Sequence, residues 1–377
     1  MSPGDLPEQL EAMLKAPRLT LLVNDPQRDT PTHVVSRALA TVRKPERIRV
    51  LVATGSHRFS PAQRRSHEAY LRNSLGDVQI QWHDSRSEEL VLVGRSWKAH
   101  PWLLDGRCDL LAVGSVEPHY FAGFTGAHKT LTIGTAGYQD IQANHSQAVS
   151  SRCQPGRLED NPVHRQLVVW LDELEGIRPV STANLVQSGE QLLGLFCGEP
   201  LETLNRAAKL AGDHFICRHE AHFDAVVASV EGALSRSFYQ ADKAIKNNEW
   251  SVKPGGALVL VADCDDGMGQ DAFCELLRQA ADVDQALSIM ERRGYRLGDH
   301  KAIRLRYLTD PTARNIRLFI VSRGLDDSQI ALLGARHAGS VAEALDAAGI
   351  DEACDRVLRV PDAGNRCNLC QTPLTSP

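Results

Sequence analysis

Three short apolar runs constrain this chain most: Arg18 to Asn24 (Arg-Leu-Thr-Leu-Leu-Val-Asn), Arg47 to Ala53, and Leu110 to Val113. Each reads as a buried strand that empties into a loop of reactive groups. Asp25-Pro26-Gln27-Arg28-Asp29-Thr30-Pro31 follows the first, Thr54-Gly55-Ser56-His57-Arg58 the second, and Glu117-Pro118-His119 the third. Helical stretches come next: Thr32 to about Val42, then Ser60-Pro61, with proline at the first helical position, to about Leu75. Strand, loop and helix in alternation demand a mostly parallel sheet with helices on both faces. In such a sheet the three loops open on one edge, where open α/β folds place their chemistry.

The alternation continues. Asn161-Pro162 starts a helix to about Leu174, strands lie near Pro179–Val186 and Gln191–Phe196, and a helix runs from Pro200 to about Leu210. A second series follows: strand Ala225–Val230, helix Ser237–Glu249, strand Ala257–Ala262, helix Gln270–Ala280, a strand-like Arg317–Val321 and a helix Val341–Ala348. At 377 residues the chain exceeds what one core usually holds. The expected fold class is therefore α/β: two α/β domains with mostly parallel sheets and an active-site cleft between them. Residues 1–212 form the N-terminal domain, 213–340 the C-terminal domain, and 341–377 a segment expected to pack back on the first.

A net charge of −5 argues against nucleic acid or an anionic membrane as partner. No apolar run approaches the roughly 20 residues of a membrane helix, and Met-Ser-Pro-Gly-Asp-Leu-Pro-Glu-Gln lacks the basic and apolar regions of a signal peptide. Nine scattered cysteines read as reduced thiols, so a cytoplasmic location is expected. Cys367 and Cys370 form a lone C-x2-C, read as two tail thiols rather than half of a zinc site.

The stretch Val113 to His145 concentrates the chemistry: His119, Gly123, Gly126, His128 and Lys129 in a loop, then a polar helix from about Tyr138 that carries His145. Gly123-x4-His128-Lys129-Thr130 nearly spells a phosphate-binding loop, but His128 stands where the second glycine should let backbone amides wrap a phosphate. Lys129 is thus a covalent attachment point, a phosphate contact or a solvated side chain. His57 and His119 suit acid–base work because imidazole titrates near neutral pH, although a lone loop histidine is more often a surface residue or a cap. Arg28 matches a carboxylate with its planar fork, and Asp25 could orient it, against the plainer reading of a loop salt bridge. His145 is a metal-ligand candidate or a helix-face residue. Gln240 and Lys243, three apart on one helix face, could offer an amide and an ammonium to an anion, or be a solvated face.

Six pieces in this order resemble the nickel-dependent lactate racemase family and its 2-hydroxyacid racemase and epimerase homologues. They are Asn24-Asp25-Pro26-x-Arg28-x-Thr30-Pro31, Ala53-Thr54-Gly55-x-His57-Arg58, Pro118-His119-x3-Gly123-Phe124-x-Gly126-x2-Lys129, Asn144-His145, Tyr239-Gln240-Ala241-x-Lys243 and Leu297-Gly298-Asp299-His300-Lys301-Ala302. Each is weak alone, and together they span nearly the whole chain. The resemblance implies an isomerase that uses a nickel-pincer nucleotide, a pyridinium mononucleotide with two thiocarbonyl arms, tethered to Lys129 with His145 as the protein ligand to nickel. It implies His57 and His119 as the acid/base pair, Asp25 and Arg28 beside cofactor and substrate, and Gln240 and Lys243 as substrate contacts. A pincer brings three donors, so one histidine completes a four-coordinate site. One histidine would remove the substrate hydroxyl proton as hydride passes to the pyridinium, and the other would act as acid on the return. The implied partners are a small-molecule 2-hydroxyacid and the cofactor-synthesis proteins, and a homo-oligomer is compatible with this reading. The competing readings are a catalytically degenerate homologue that binds an anionic ligand or nucleotide, and a kinase-like phosphate binder.

Overall fold

The computed structural model describes residues 6–371 and divides into two compact units. One comprises the residues up to Asn144 together with Gly156–His214; the other comprises His145–Pro155 and the residues from Phe215 on.

The first unit is built on a six-stranded sheet. Its order is Gln191–Gly198, Ser181–Ser188, Cys108–Ser115, Arg18–Asn24, Ile48–Ala53, Gln79–Trp82. All neighbours are parallel except the edge strand Gln191–Gly198, which runs antiparallel to Ser181–Ser188. Side chains alternate across a strand, and both faces here are covered. Leu19, Leu21, Val23, Val50, Val52, Leu111 and Val113 join one core with the helices Leu6–Met13, Thr32–Val42 and Pro61–Leu75. Leu22, Leu51 and Ala112, equally buried, face the other way. The helix Pro61–Leu75 starts where the sequence places it because Ser60 and Gln63 form a capping box.

The second unit carries a five-stranded, all-parallel sheet, ordered Ala335–His337, Arg317–Val321, Val252–Val261, Phe223–Ser229, Val357–Val360. Val226, Ala228, Leu258, Leu260, Leu318 and Ile320 pack on the helices Phe238–Asn248, Asp271–Gln279 and Asp299–Thr309. Ala225, Val227, Ala257, Val259 and Phe319 form a separate core on the other face with Ala344 and Leu345.

Two expectations are corrected. The segment after residue 340 belongs to the second unit rather than returning to the first. Its helix Val341–Ala347 covers one sheet face, Val357–Val360 pairs with the open edge of Phe223–Ser229, and Cys367–Cys370 pairs with Ile216–His219. An apolar strand with an unpaired edge satisfies its backbone groups by such pairing, whatever the sequence separation. The second correction concerns His145. The helix Tyr138–Ser146 is shared, its residues to Asn144 counted with the first unit and those from His145 with the second. No helix among the described residues is long and apolar enough to cross a membrane.

One glycine sets how closely the helix bearing Lys129 can approach the sheet. A Cβ on Gly114 would lie 2.4 Å from the Ala127 nitrogen and 2.6 Å from the Gly126 carbonyl carbon, both backbone. Gly114→Ala must therefore push that helix outward. Overpacking of this kind costs about 1–3 kcal/mol, so the variant should melt several degrees lower and attach ligand poorly at Lys129. An unchanged melting temperature in calorimetry would show that the close approach is not a constraint.

Candidate functional site

The site residues of the first unit gather at the C-terminal ends of three adjacent parallel strands. After Asn24 the chain turns at Asp25, which is 3% exposed. Its carboxylate accepts the Gln27 N–H (2.9 Å), and its other oxygen lies 2.9 Å from His57 Nδ1. Asp25 thus braces His57 across 32 residues of sequence instead of orienting Arg28, as the local spacing suggested. A buried carboxylate on Nδ1 fixes the ring and leaves Nε2 pointing away from it. The loop bearing His57 turns on Gly55, at φ +53°, whose N–H donates to the Gly134 carbonyl (2.9 Å). Arg28 is exposed on its loop.

His119 sits on a hairpin in which Pro118–His119 pairs with Gly123–Phe124. Its Nδ1 accepts the Ala122 N–H (3.2 Å), and its ring stacks on Tyr120 and stands edge-on to Phe121. Gly123, at φ +77°, lets the hairpin lie against the Arg157 carbonyl, which a Cβ would approach to 2.3 Å.

Lys129 lies on a one-turn helix, Ala127–Leu131, where the sequence suggested a loop. The helix is tied down by side chains. Asn184 Oδ1 accepts the Ala127 N–H (2.8 Å), and Thr130 Oγ1 reaches Asn24 Oδ1 (2.8 Å) and the Val113 carbonyl (3.1 Å). Asn24 in turn donates to Thr30 Oγ1 (2.7 Å), which is 3.1 Å from Ser115 Oγ. The Lys129 ammonium lies 5.7 Å from the Phe121 ring centre. Burial first, and the positive charge of Arg28 second, pull its pKa down to about 7.

The surroundings of several residues here were not legible in the sequence. His128 is 1% exposed, neither ring nitrogen has a hydrogen-bond partner, and it meets His164 edge-on with ring centroids 5.5 Å apart. Desolvation holds both imidazoles well below their usual range, His164 at about 4. Asn184 had a usable signal, an amide set between the apolar Ala183 and Leu185 of its strand. Beside the Asp25 loop lies a pocket of about 340 Å³ lined by Phe59, His67 and Tyr70 among others.

The remaining predicted residues lie in the second unit. Gln240 is exposed and Lys243 half-buried on the helix Phe238–Asn248. That helix is started by the Gly267 and Met268 carbonyls, which accept the N–H groups of Phe238 (3.0 Å) and Tyr239 (3.1 Å). His145 is half-buried and edge-on to His300, centroids 6.1 Å apart. Three strand-end groups of the first unit are therefore brought together on one sheet edge, while His145, Gln240 and Lys243 belong to the other unit.

Comparison with known proteins matches both halves of the chain to one family. Residues 5–155 match the lactate racemase N-terminal domain and residues 219–364 the lactate racemase C-terminal domain. The lactate racemase of Thermoanaerobacterium thermosaccharolyticum is 28% identical over 292 residues, covering 73% of this chain and 67% of that protein. That of Lactiplantibacillus plantarum is 28% identical over 294 residues, covering 73% and 66% respectively. The lactate racemase apoprotein from T. thermosaccharolyticum superposes with a TM-score of 0.83 at 22% identity, over 98% of this chain and 93% of that one. A Thermotoga maritima protein follows at 0.70 and 14% identity, over 98% and 97%. The chain belongs to the lactate racemase family of isomerases.

The lowered pKa of Lys129 is directly checkable. Below pH 7 its amine is protonated and unreactive; above pH 7 it is free, while an ordinary lysine stays charged to about 10.4. Acylation by an amine-selective ester, read by peptide mass mapping, should therefore label Lys129 with a midpoint near pH 7. In Arg28→Gln the second cause of the depression, a nearby positive charge, is gone and the midpoint should rise. Labelling of Lys129 that tracks the bulk lysines would contradict the desolvated amine.

Proposed function

We propose that this member of the lactate racemase family inverts the hydroxyl-bearing carbon of a 2-hydroxyacid with the help of a nickel-pincer nucleotide joined to Lys129. One observation supports this most directly. A single sheet edge bears an amine whose pKa is drawn down to about 7, an imidazole braced by a buried carboxylate and a second imidazole on a hairpin.

The residues fit the group. With its pKa drawn down to about 7, the Lys129 amine reaches the neutral form that an amide or thioamide linkage needs far more readily than an ordinary lysine. Among the described residues no cluster of three or more His, Cys, Asp or Glu could hold a metal. A nickel ion here would take one donor from His145 and the others from the bound group, and imidazole beside soft sulfur suits Ni(II). When bound, that group supplies the acceptor for the hydrogen leaving the substrate carbon.

The chain's own residues position the substrate and move its protons. His57 takes the hydroxyl proton through Nε2, and Asp25 holds the ring in place and stabilises the imidazolium that results. His119 has Nδ1 occupied by the Ala122 N–H, so its proton exchange also runs through Nε2. The substrate becomes planar as its C–H hydrogen leaves. Once the other face is presented and the hydrogen returns there, the second imidazole gives a proton back to the oxygen. For the opposite enantiomer the two histidines exchange roles. Arg28 offers a two-pronged contact to the substrate carboxylate, and Gln240 and Lys243 an amide and an ammonium. Maturation by cofactor-synthesis proteins belongs to this reading.

Protein produced alongside the pincer-synthesis enzymes should gain the mass of the nucleotide at Lys129, and Lys129→Ala should not. His57→Ala and His119→Ala should each lose about 10²–10⁴-fold in rate, in both directions, since the ratio of forward to reverse efficiencies is fixed by the reaction's equilibrium. Deuterium at the reacting carbon should stay in the product. Its rapid exchange with water would indicate enolisation and reject hydride transfer, and full activity in either histidine variant would reject the acid/base assignment.

A further inference from the structure

The segment Leu297-Gly298-Asp299-His300-Lys301-Ala302 stands out in the sequence, and the reading above leaves it without a task. It opens the helix Asp299–Thr309 after Gly298 at φ +107°. Its three ionisable side chains are all buried, at 0% for Asp299, 3% for His300 and 7% for Lys301. Each is committed in a different direction. Asp299 accepts both arms of the Arg293 guanidinium (2.9 and 2.8 Å) and the Arg296 N–H (2.6 Å). Lys301 donates to the Tyr239 carbonyl, lies 3.9 Å from the centre of the Tyr239 ring and is 3.7 Å from the Asp242 carboxylate. It thereby ties this helix to the one that carries Gln240 and Lys243.

Between those two anchors, His300 has Nδ1 at 2.7 Å from the Tyr295 hydroxyl, and its ring lies nearly parallel to the Tyr295 ring at 27°. Its edge meets the His145 ring at 77°, with centroids 6.1 Å apart. The helix start, the Tyr295 hydroxyl and the ring contact leave the His300 imidazole little freedom. His145 is half-buried at the end of the helix Tyr138–Ser146. A metal-binding imidazole needs one nitrogen aimed at the metal and the other ring edge held.

We propose that His300, fixed by Tyr295, is a positioning residue that holds the His145 imidazole in the orientation a metal requires. The proposal rests on the reading of His145 as the nickel ligand. With Tyr295 on Nδ1, Nε2 is the remaining hydrogen-bonding atom of the His300 ring. The side chain that replaces it should therefore matter through its polar atom rather than its bulk. Contacts of this kind are typically worth about 10–100-fold in metal affinity.

The test uses the full chain matured with the pincer-synthesis enzymes, with nickel per chain measured during competition with a chelator. His300→Phe keeps a planar ring and removes both nitrogens, and should release nickel about 10–100-fold more readily. His300→Gln, with an amide reaching the Nε2 position, should recover part of the loss, which a purely space-filling role would not predict. Tyr295→Phe should shift retention in the same direction by less, and it carries the test alone if His300→Phe fails to fold in calorimetry. His145→Ala separates the layers. If it loses nickel while His300→Phe and Tyr295→Phe hold nickel like the unmodified chain, the positioning role is overturned and the ligand reading stands. If His145→Ala itself retains nickel, the ligand reading falls and the positioning role with it.

Discussion

The candidate site depends on hydrogen bonds that close the C-terminal edge of the first sheet. Asn24, at the last position of its strand, uses both ends of its amide, donating to Thr30 and accepting from Thr130. Thr30 links on to Ser115 at the end of the next strand. The loop after Asn24, the end of the Cys108–Ser115 strand and the helix bearing Lys129 are thereby fixed relative to one another by side chains of one or two rotatable bonds. Each bond is worth about 1 kcal/mol net, but a buried partner left unsatisfied costs about 1–3. The network therefore acts less as glue than as a filter against other arrangements. Asn184 extends it beneath the Lys129 helix through Thr203 (3.0 Å), which is itself 2.7 Å from Thr182.

Within that frame, desolvation decides the state of Lys129. Half-exposed by surface area, its amine is nonetheless enclosed enough that loss of hydration is the main cause of its lowered pKa, with Arg28 adding to it. The buried Asp25 carboxylate is engaged instead by His57, whose imidazole it braces.

The strands were legible because buried parallel strands are written as short apolar runs. Arg18–Asn24 and Arg317–Val321 have the bounds the sequence suggests. The capping residues Ser60 and Asn161 announce their helices for the same local reason. Contacts at long separation were not legible. The Asp25–His57 bond joins two loops, and nothing within four residues of Asp25 distinguishes that partner from Arg28. The Lys129 helix is too short to show a period and is held by Asn184, 57 residues away from Ala127. The placement of the chain's last strands failed similarly, since pairing Val357–Val360 with Phe223–Ser229 is a choice among open edges, which local pattern does not encode.

The same reasoning explains why His145–Pro155 belongs to the second unit although most of the chain around it belongs to the first. Arg304 donates to the Cys153 carbonyl (3.0 Å) through one nitrogen and to Glu249 (3.1 Å) through another. Glu249 also pairs with Lys246 at 3.2 Å, and all three side chains are almost fully buried. Against the cost of burial, the charges of Lys246, Arg304 and Arg314 hold the Glu249 carboxyl below its usual range. Such a cluster is a poor source of stability, since an apolar replacement of similar volume is often neutral or better. Its effect is one of selection. A segment that satisfies the guanidinium donor at Cys153 is accepted, and one that leaves it unpaired is disfavoured by several kcal/mol. A backbone carbonyl meets that need without any particular side chain at Cys153. The constraint therefore fixes where the His145 segment runs while leaving its sequence almost unrestricted, which is why no motif in that segment announces it.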